Sequence, residues 1–180
     1  MLDITELGIP GSFLIQAPTY GDDRGFFREW FKAEELEKST NKKFPIAQAN
    51  LSRSKKGVVR GIHFSTAPLG QAKWVTCASG SIWDVVIDIR PDSPTYKSWI
   101  AQELRAEKGN SVFIGEGLGH AFVALEDDSV ISYLLSTPYA PEFELAINPL
   151  DPEIGIDWPI SPLQLSARDQ SAPGISELFG

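Results

Sequence analysis

The feature of this chain that most constrains its fold is its division into short apolar runs that Gly and Pro residues separate. The runs are rich in Val, Ile, Phe, Trp and Thr, which suit a half-buried pleated surface, and several alternate with a two-residue period. The 13 prolines and 15 glycines are spread over the whole length. Many short strands at regular spacing are typical of an antiparallel sandwich or barrel. We therefore predict an all-β jelly roll.

The predicted strands cover residues 12–16, 26–31, 46–52, 58–64, 73–78, 81–89, 99–104, 111–114, 120–125 and 130–136. Helical composition is confined to residues 33–39 and 175–179, which we expect to form short peripheral helices. The Pro-rich segment 138–173 is predicted to wrap over the barrel as irregular structure. A length of 180 residues is typical of one domain, so we expect residues 1–180 to form a single jelly roll.

Charge and cysteine content exclude several classes of partner. The 24 Asp and Glu residues outnumber the 16 Lys and Arg residues, which disfavours binding to nucleic acid or to an anionic membrane. Cys77 is the single cysteine, as expected in a reducing compartment. The acidic N-terminus is unlike a signal peptide, and no apolar stretch approaches the roughly 20 residues that span a bilayer. We expect a cytoplasmic protein without nucleic-acid or membrane partners.

Two histidines, His63 and His120, limit the metal chemistry. A site with three histidines cannot be built, and there is no cysteine pair, so we predict no metal. Taken alone, each histidine is as readily structural as functional. Gly61, within the same strand as His63, indicates close approach by a ligand or another backbone, with space beside the imidazole.

Polar side chains alternate with apolar ones in several predicted strands. The residues on the polar faces include Gln48, Asn50, His63, Lys73 and Asp84. These faces are either wet outer surfaces or the lining of a polar barrel interior. Periodicity does not decide between the two, because a slip of one residue reverses every side chain.

Three further residues have an ordinary and a functional interpretation. Tyr133 lies in an apolar strand, where a tyrosine is more often core than acid. Arg24 lies in a turn sequence, and Arg60 is by default a surface charge. Together the two arginines are candidates to bind a diphosphate, because guanidinium matches phosphate with paired donors.

Ordered motifs along nearly the whole chain carry a family resemblance. They are DDRGFFRE at 22–29, QANLS at 48–52, RGIHF at 60–64, QAK at 71–73, DVVIDIR at 84–90, GHAF at 119–122, Tyr133 with Tyr139, DWP at 157–159 and LSARD at 165–169. The chain closely resembles the dTDP-4-dehydrorhamnose 3,5-epimerase family. The resemblance implies a cupin-type jelly-roll barrel that works as a homodimer without metal or organic cofactor. It also implies an isomerase that inverts C3 and C5 of dTDP-4-dehydro-6-deoxy-D-glucose, giving dTDP-4-dehydro-L-rhamnose in dTDP-L-rhamnose biosynthesis.

The resemblance also implies a role for each site residue. His63 is the base, supported by Asp169; Lys73 faces the developing enolate oxygen; and Tyr133 returns a proton from the opposite face. His120 and Asp84 have supporting roles inside the barrel. The substrate-binding residues are Arg24 and Arg60 for the diphosphate, Gln48, Asn50 and Glu29 for nucleotide or sugar, Phe26, Phe27 and Trp158 for stacking on thymine, and Tyr139 along the sugar. In this family some ligands come from the partner subunit.

The chain departs from the usual family motifs at Ile62, Ser65 and Ala121. Some relatives with such departures invert C3 alone, so the resemblance leaves double and single inversion open. A 3,4-ketoisomerase on a similar barrel is a second alternative. A non-catalytic cupin that binds a nucleotide sugar is a third, although a binding protein has no need of a base, an acid and an oxyanion donor together.

Overall fold

The computed structural model describes residues 1–66, 68 and 70–180. Its strands are β1 (Asp3–Glu6), β2 (Ser12–Gln16), β3 (Thr19–Asp22), β4 (Gly25–Arg28), β5 (Gln48–Ser54), β6 (Val59–Ser65), β7 (Lys73–Ser79), β8 (Ser81–Asp88), β9 (Trp99–Arg105), β10 (Asn110–Ile114), β11 (Leu118–Ala124), β12 (Ser129–Leu135) and β13 (Glu144–Ala146). Its helices are α1 (Ala33–Thr40), α2 (Ala167–Gln170) and α3 (Ile175–Phe179). In this part of the chain no helix is long and apolar enough to cross a bilayer.

The strands form two large sheets and one separate hairpin. The first sheet has the order β1-β2-β10-β7-β12-β5, and the second has the order β13-β6-β11-β8-β9. The hairpin consists of β3 and β4. Neighbouring strands in these sheets run antiparallel. The prediction of an all-β antiparallel jelly roll with short peripheral helices is confirmed.

Apolar side chains fill the space between the sheets and cover both outer faces. The inter-sheet layer includes Val75, Val86 and Phe122. On the outside of the first sheet, Leu36 of α1 packs in a cluster with Trp74. On the outside of the second sheet, residues of the C-terminal segment such as Ile175 complete a third cluster. Because both faces of each sheet contact protein, an apolar face does not by itself identify the interior.

Several elements differ from their predictions. The strand predicted over 26–31 ends at Arg28, while β1 and β3 lie in segments with no predicted strand. The segment 138–173, predicted to be irregular, contains β13 and α2. Strand β13 has three residues and α2 has four, so neither is long enough for a periodic pattern. The helices predicted over 33–39 and 175–179 correspond to α1 and α3.

Candidate active site

A cleft of about 250 Å³ opens between the two sheets, and the polar strand faces line it. In β5 the side chains of Gln48 and Asn50 are half-buried, whereas Leu51 is 69% exposed on the opposite face. In β7, Lys73 lines the cleft and Val75, two residues along, belongs to the inter-sheet apolar core. The polar faces therefore lie inside the barrel, which decides between the two interpretations that the sequence left open.

The cleft collects seven of the residues singled out from the sequence. They are Asn50, Arg60, His63, Lys73, His120, Tyr133 and Tyr139. They come from both sheets, because β5, β7 and β12 face β6 and β11 across the inter-sheet space. The fold thus brings an imidazole, an ammonium and a phenol to one cavity.

A bulge at Gly61 turns both Arg60 and His63 into this cleft. On β11, His120 pairs with His63 and Phe122 pairs with Arg60, so the single residue Ala121 of β11 lies opposite Gly61 and Ile62 of β6. Gly61 has φ +121°, and a Cβ at this position would lie 2.5 Å from the carbonyl oxygen of His120. Of the two groups that the sequence suggested beside Gly61, a ligand or another backbone, the structure places the backbone of β11 there. Arg60 is an exposed charge, as expected by default, and it also lines the cleft.

His63 forms a dyad with a carboxylate from the C-terminal segment. Its Nε2 lies 2.8 Å from Oδ1 of Asp169, which is buried in α2. The hydroxyl of Ser166 caps this helix by accepting the Asp169 backbone N–H. Burial lowers the pKa of His63, while the hydrogen bond and charge of Asp169 and the charge of Glu144 oppose that shift, and Lys73 adds to it. Neutral imidazole is therefore favoured, with Asp169 as acceptor for Nε2–H and the lone pair on Nδ1.

Lys73 places a cation in the same cleft. Burial lowers its pKa to about 8, opposed by the charges of Glu144 and Asp84. Its Nζ donates to the backbone oxygen of His63 at 3.4 Å. Tyr133 lines the cleft from β12 and packs against the apolar core between the sheets. The site can therefore present a positive donor near the two groups proposed for proton transfer.

A second imidazole–carboxylate pair lies deeper. Nε2 of His120 is 2.7 Å from Oδ2 of Asp84, and both residues are buried. The other oxygen, Asp84 Oδ1, has no hydrogen-bond partner within the described residues. This oxygen is therefore a buried acceptor without the hydrogen bond that buried polar atoms usually make.

Amide hydrogen bonds organise the rim of the cleft. The side-chain nitrogen of Gln48 donates to Oδ1 of Asn50 at 2.8 Å. The side-chain oxygen of Gln48 accepts a hydrogen bond from the backbone N–H of Tyr139 at 2.8 Å. Tyr139 remains 52% exposed. Nε of Arg60 donates to the hydroxyl of Ser54 at 3.1 Å. The rim thus offers an exposed aromatic ring and a guanidinium.

Four predicted substrate ligands lie on or beside the β3–β4 hairpin and not among the described residues that line the cleft. Arg24, Phe26 and Phe27 line a separate surface cavity on the hairpin, and all three side chains are largely exposed. Glu29, just after β4, forms an ion pair with Lys32 at 2.7 Å. Within one chain, these residues and His63 do not share a cavity.

Trp158, a further candidate to stack on thymine, is not among the described residues that line this cleft. Its ring lies 5.7 Å from that of Trp83 and its indole N–H donates to the Pro149 carbonyl. Both rings belong to the apolar cluster outside the second sheet. A tryptophan next to proline in an irregular segment gave no indication of which sheet face it covers.

Glu144 is the main cleft residue that the sequence analysis missed. It belongs to β13, lines the cleft, and accepts from Nη1 of Arg168 at 3.4 Å. Ser52, Gln71 and Phe122 also line the cleft. All three were within the quoted motifs, whereas β13 was too short to be recognised. Across the described ranges, no group of three or more His, Cys, Asp or Glu side chains is arranged to hold a metal ion.

Comparison with known proteins shows the family of this chain. The family model described as dTDP-4-dehydrorhamnose 3,5-epimerase matches residues 6–177. The chain belongs to this family of isomerases. The family match includes every residue of the cleft, both His–Asp pairs and the hairpin.

Two curated relatives differ in the reaction their names give. The chain is 47% identical to a dTDP-4-dehydrorhamnose 3,5-epimerase of Mycolicibacterium smegmatis, covering 96% of this chain and 85% of the relative. It is 44% identical to a dTDP-4-dehydrorhamnose 3-epimerase of Streptomyces niveus, covering 95% and 83%. Among solved structures, a 4-keto-6-deoxy sugar epimerase of Streptomyces spheroides matches with a TM-score of 0.97 and 42% identity, covering 99% and 90%. Family membership therefore leaves the number of inverted carbons open.

Proposed function

We propose that this protein is a dTDP-4-dehydro-6-deoxy-D-glucose 3,5-epimerase, a single cytoplasmic domain that acts without metal or organic cofactor and gives dTDP-4-dehydro-L-rhamnose for dTDP-L-rhamnose biosynthesis. The observation that carries the proposal is the arrangement of His63, Lys73 and Tyr133 around one cleft, with Asp169 behind His63. The family match supports the nucleotide-sugar substrate.

The first chemical step is removal of a proton from carbon next to the C4 ketone. Nδ1 of His63 takes the C3 proton, the electron pair of the C–H bond forms the enolate, and the positive charge passes to the imidazolium. Asp169 stabilises that charge through Nε2–H. The Lys73 ammonium stabilises the enolate oxygen, an effect worth roughly 3–4 kcal/mol for a preorganised donor.

Return of a proton to the other face inverts the carbon. The Tyr133 hydroxyl donates to C3, the enolate returns to the ketone, and solvent then restores the phenol and removes the proton from His63. The same sequence at C5 gives the second inversion. No electrons are gained or lost, so the reaction needs no redox partner. His120, held by Asp84, lies beside the sugar inside the barrel. At the rim, the sugar or the nucleotide contacts Tyr139, Gln48 and Asn50.

We propose further that the working unit is a homodimer in which each hairpin serves the cleft of its partner. Arg24 and Phe27 would then join Arg60 at the diphosphate and thymine, with Glu29 nearby. The exposed aromatic side chains of the hairpin and the exposed Leu51 on the outer face of β5 support this proposal, since large exposed apolar groups mark interaction surfaces.

The decisive experiment follows deuterium from D₂O into dTDP-4-dehydro-6-deoxyglucose by NMR, with the wild-type protein and the His63→Asn and Tyr133→Phe variants. Wild type should label C3 and C5 and form the inverted product. His63→Asn should lose exchange by roughly 100-fold or more, and Tyr133→Phe should slow or redirect product formation. Tyr96→Phe is the matched control for the loss of a phenol hydroxyl, because Tyr96 contacts Lys97 outside the cleft, and it should keep wild-type exchange. Absence of labelling by wild type would reject the proposal.

Inversion at C3 alone is the second candidate, and the similarity to the Streptomyces niveus 3-epimerase favours it. The same spectra separate the two. Deuterium at both carbons with the L-configured product supports double inversion, whereas label and inversion at C3 alone support the second candidate. A product with the ketone moved to C3 would instead indicate a 3,4-ketoisomerase. Tight binding without any exchange would indicate a non-catalytic protein.

A further inference from the structure

A two-residue segment directly after β13, Ile147 and Asn148, connects the two halves of the His63–Asp169 pair. We infer that Asn148, which lies in this segment and outside the cleft, is a positioning residue that fixes Asp169 relative to His63. The inference rests on the proposed role of His63 as the base. It adds a residue to the reaction that touches neither substrate nor the reacting atoms.

On one side, the segment is tied to the strand that carries His63. Ala146 pairs with His63 in the β13–β6 ladder. Beyond the strand end, Ile147 and Ile62 exchange both backbone hydrogen bonds, at 3.0 and 3.1 Å. Ile147 is fully buried. The backbone immediately before Asn148 therefore moves with β6.

On the other side, Asn148 is tied to the helix that carries Asp169. Its side-chain Nδ2 donates to the carbonyl oxygen of Gln170 at 3.1 Å, one residue beyond Asp169. Its backbone N–H donates to the carbonyl of Pro173 at 2.9 Å. Its Oδ1 accepts the N–H of Leu150 at 2.9 Å, which orients the amide. The amide nitrogen of Asn148 thus joins the β6 side to α2.

Helix α2 needs such an external contact. It has four residues, far fewer than an isolated helix requires for stability, so tertiary contacts determine its position. Its N-terminus is fixed by the Ser166 cap, and Asn148 holds a carbonyl at its C-terminal end. Because a reacting group displaced by about 1 Å can lower a rate by roughly 100-fold, small movements of Asp169 matter.

Displacement of Asp169 should also alter the ionisation of His63. Several ionisable groups face His63. The acidic groups nearest to it are Asp169 of α2 and Glu144 of β13, and the basic group is Lys73 of β7. His120 of β11, which is bonded to Asp84 of β8, lies beside it, and Tyr133 of β12 lies across the cleft. Burial and Lys73 lower the pKa of His63, and Asp169 opposes this more strongly than Glu144. A weaker Asp169 contact therefore moves the pKa of His63 further down.

The test compares Asn148→Ser with Asn110→Ser. Serine at 148 keeps a hydroxyl acceptor for Leu150 N–H, adds no charge, and is too short to reach Gln170. Asn110, the first residue of β10, makes equivalent bonds, donating to the Glu103 carbonyl at 2.8 Å and accepting from Arg105 N–H at 3.1 Å. Both variants lose one amide donor, and only the one at 148 touches α2.

We expect Asn148→Ser to lower kcat by about 10- to 100-fold with KM changed less than about 3-fold, and to move the acid limb of the pH–rate profile downward. Asn110→Ser should retain the wild-type profile. If the serine variant does not fold, Asn148→Asp keeps the side-chain volume, removes the donor and should show the same loss of kcat. Wild-type kcat and pH profile in a folded variant would overturn the inference.

An NMR titration separates this inference from the proposed function. The chain has two histidines, so the His63 imidazole is assigned by its loss in His63→Asn. In Asn148→Ser its pKa should move toward that in Asp169→Asn, whether or not the protein acts on the sugar. An unchanged His63 pKa would contradict the positioning role, while a shifted pKa in a protein without epimerase activity would reject the proposed function alone.

Discussion

Nε2 of His63 lies 2.8 Å from Oδ1 of Asp169, although 106 residues separate the two in the chain. The contact joins a strand of the second sheet to a one-turn helix near the C-terminus. Asp169 is 3% exposed, so its carboxylate is held at the back of the imidazole and away from solvent. The pair therefore combines a desolvated base with a fixed charge that stabilises its protonated form.

The pH dependence of exchange should report this combination. Neutral His63 is the active form, so activity falls as pH decreases through its pKa. Because burial lowers that pKa, the acid limb of kcat/KM for wild type should lie below the ordinary histidine value of about 6.5. In Asp169→Asn the limb should move lower still, since the opposing charge is lost, and kcat should fall by roughly 100- to 10,000-fold.

Asp128→Asn provides the matched control for that measurement. Asp128 is exposed, pairs with Arg53, and has φ 58°, a conformation that asparagine tolerates. Its variant should keep both the rate and the acid limb of wild type. An acid limb of Asp169→Asn at higher pH than wild type would show that Asp169 does not stabilise the imidazolium.

Lys73→Met should make the protein more stable and less active. The pKa of Lys73 falls from 10.5 to about 8 on folding because of burial. The cost of the buried charge is present in full below pH 8 and disappears as pH rises from 8 to 10.5, where the unfolded chain also loses the proton. At pH 7 the variant should gain roughly 1–3 kcal/mol in free energy of unfolding and lose roughly 100-fold or more in kcat.

Urea unfolding at pH 7 and at pH 10.5, together with the exchange assay, tests both halves of this expectation. The gain in stability should shrink at the higher pH. Lys43→Met, at an exposed position, is the control: its free energy of unfolding should lie within about 0.5 kcal/mol of the wild-type value, and its activity should be unchanged. A fully active Lys73→Met protein would exclude Lys73 as the enolate donor.

Gly61→Ala should destabilise the fold at the centre of the site. A Cβ at this position would lie 2.5 Å from the His120 carbonyl oxygen and 2.7 Å from Cα of Ala121, and φ is +121°. Neither backbone atom has room to move without disturbing the β6–β11 ladder, so we expect a loss of about 2–4 kcal/mol. Gly155→Ala is the control, because φ there is +63° but the nearest atom to an added Cβ is 3.6 Å away. Thermal unfolding of this variant should show a loss of about 1 kcal/mol in the free energy of unfolding. Equal losses at the two positions would argue against the close contact.

The same bulge shows how far the sequence could predict this site. Alternation in β5 and β7 correctly grouped Gln48 with Asn50 and placed Lys73 on one face with Val75. It could not say which face points inward, because protein also covers the outsides of both sheets. In β6, one extra residue breaks the alternation and brings Arg60 to the side of His63. A bulge of this kind depends on the pairing with β11, which local sequence does not encode.

The C-terminal segment was the least predictable part. Its motif at 165–169 led to Asp169 through the family resemblance, and not through any periodic pattern. Glu144 was missed, and the placement of Trp158 outside the second sheet was not foreseen, because both positions are set by how an irregular segment lies across that sheet. Such contacts are long-range, so short elements of three or four residues carry little local signal.

A complementation experiment tests whether the hairpin serves its own cleft or that of a partner. His63→Asn and Arg24→Ala chains carrying different tags are co-expressed, and the heterodimer is purified. If Arg24 acts in the partner's cleft, one of the two sites contains both native residues, and the heterodimer should recover about half of the wild-type rate at low substrate concentration. Each homodimer alone should be strongly impaired. If Arg24 acts in its own chain's cleft, one site lacks the base and the other lacks the arginine. The heterodimer rate would then equal the average of the two homodimers, and failure to isolate any dimer would reject the shared site outright.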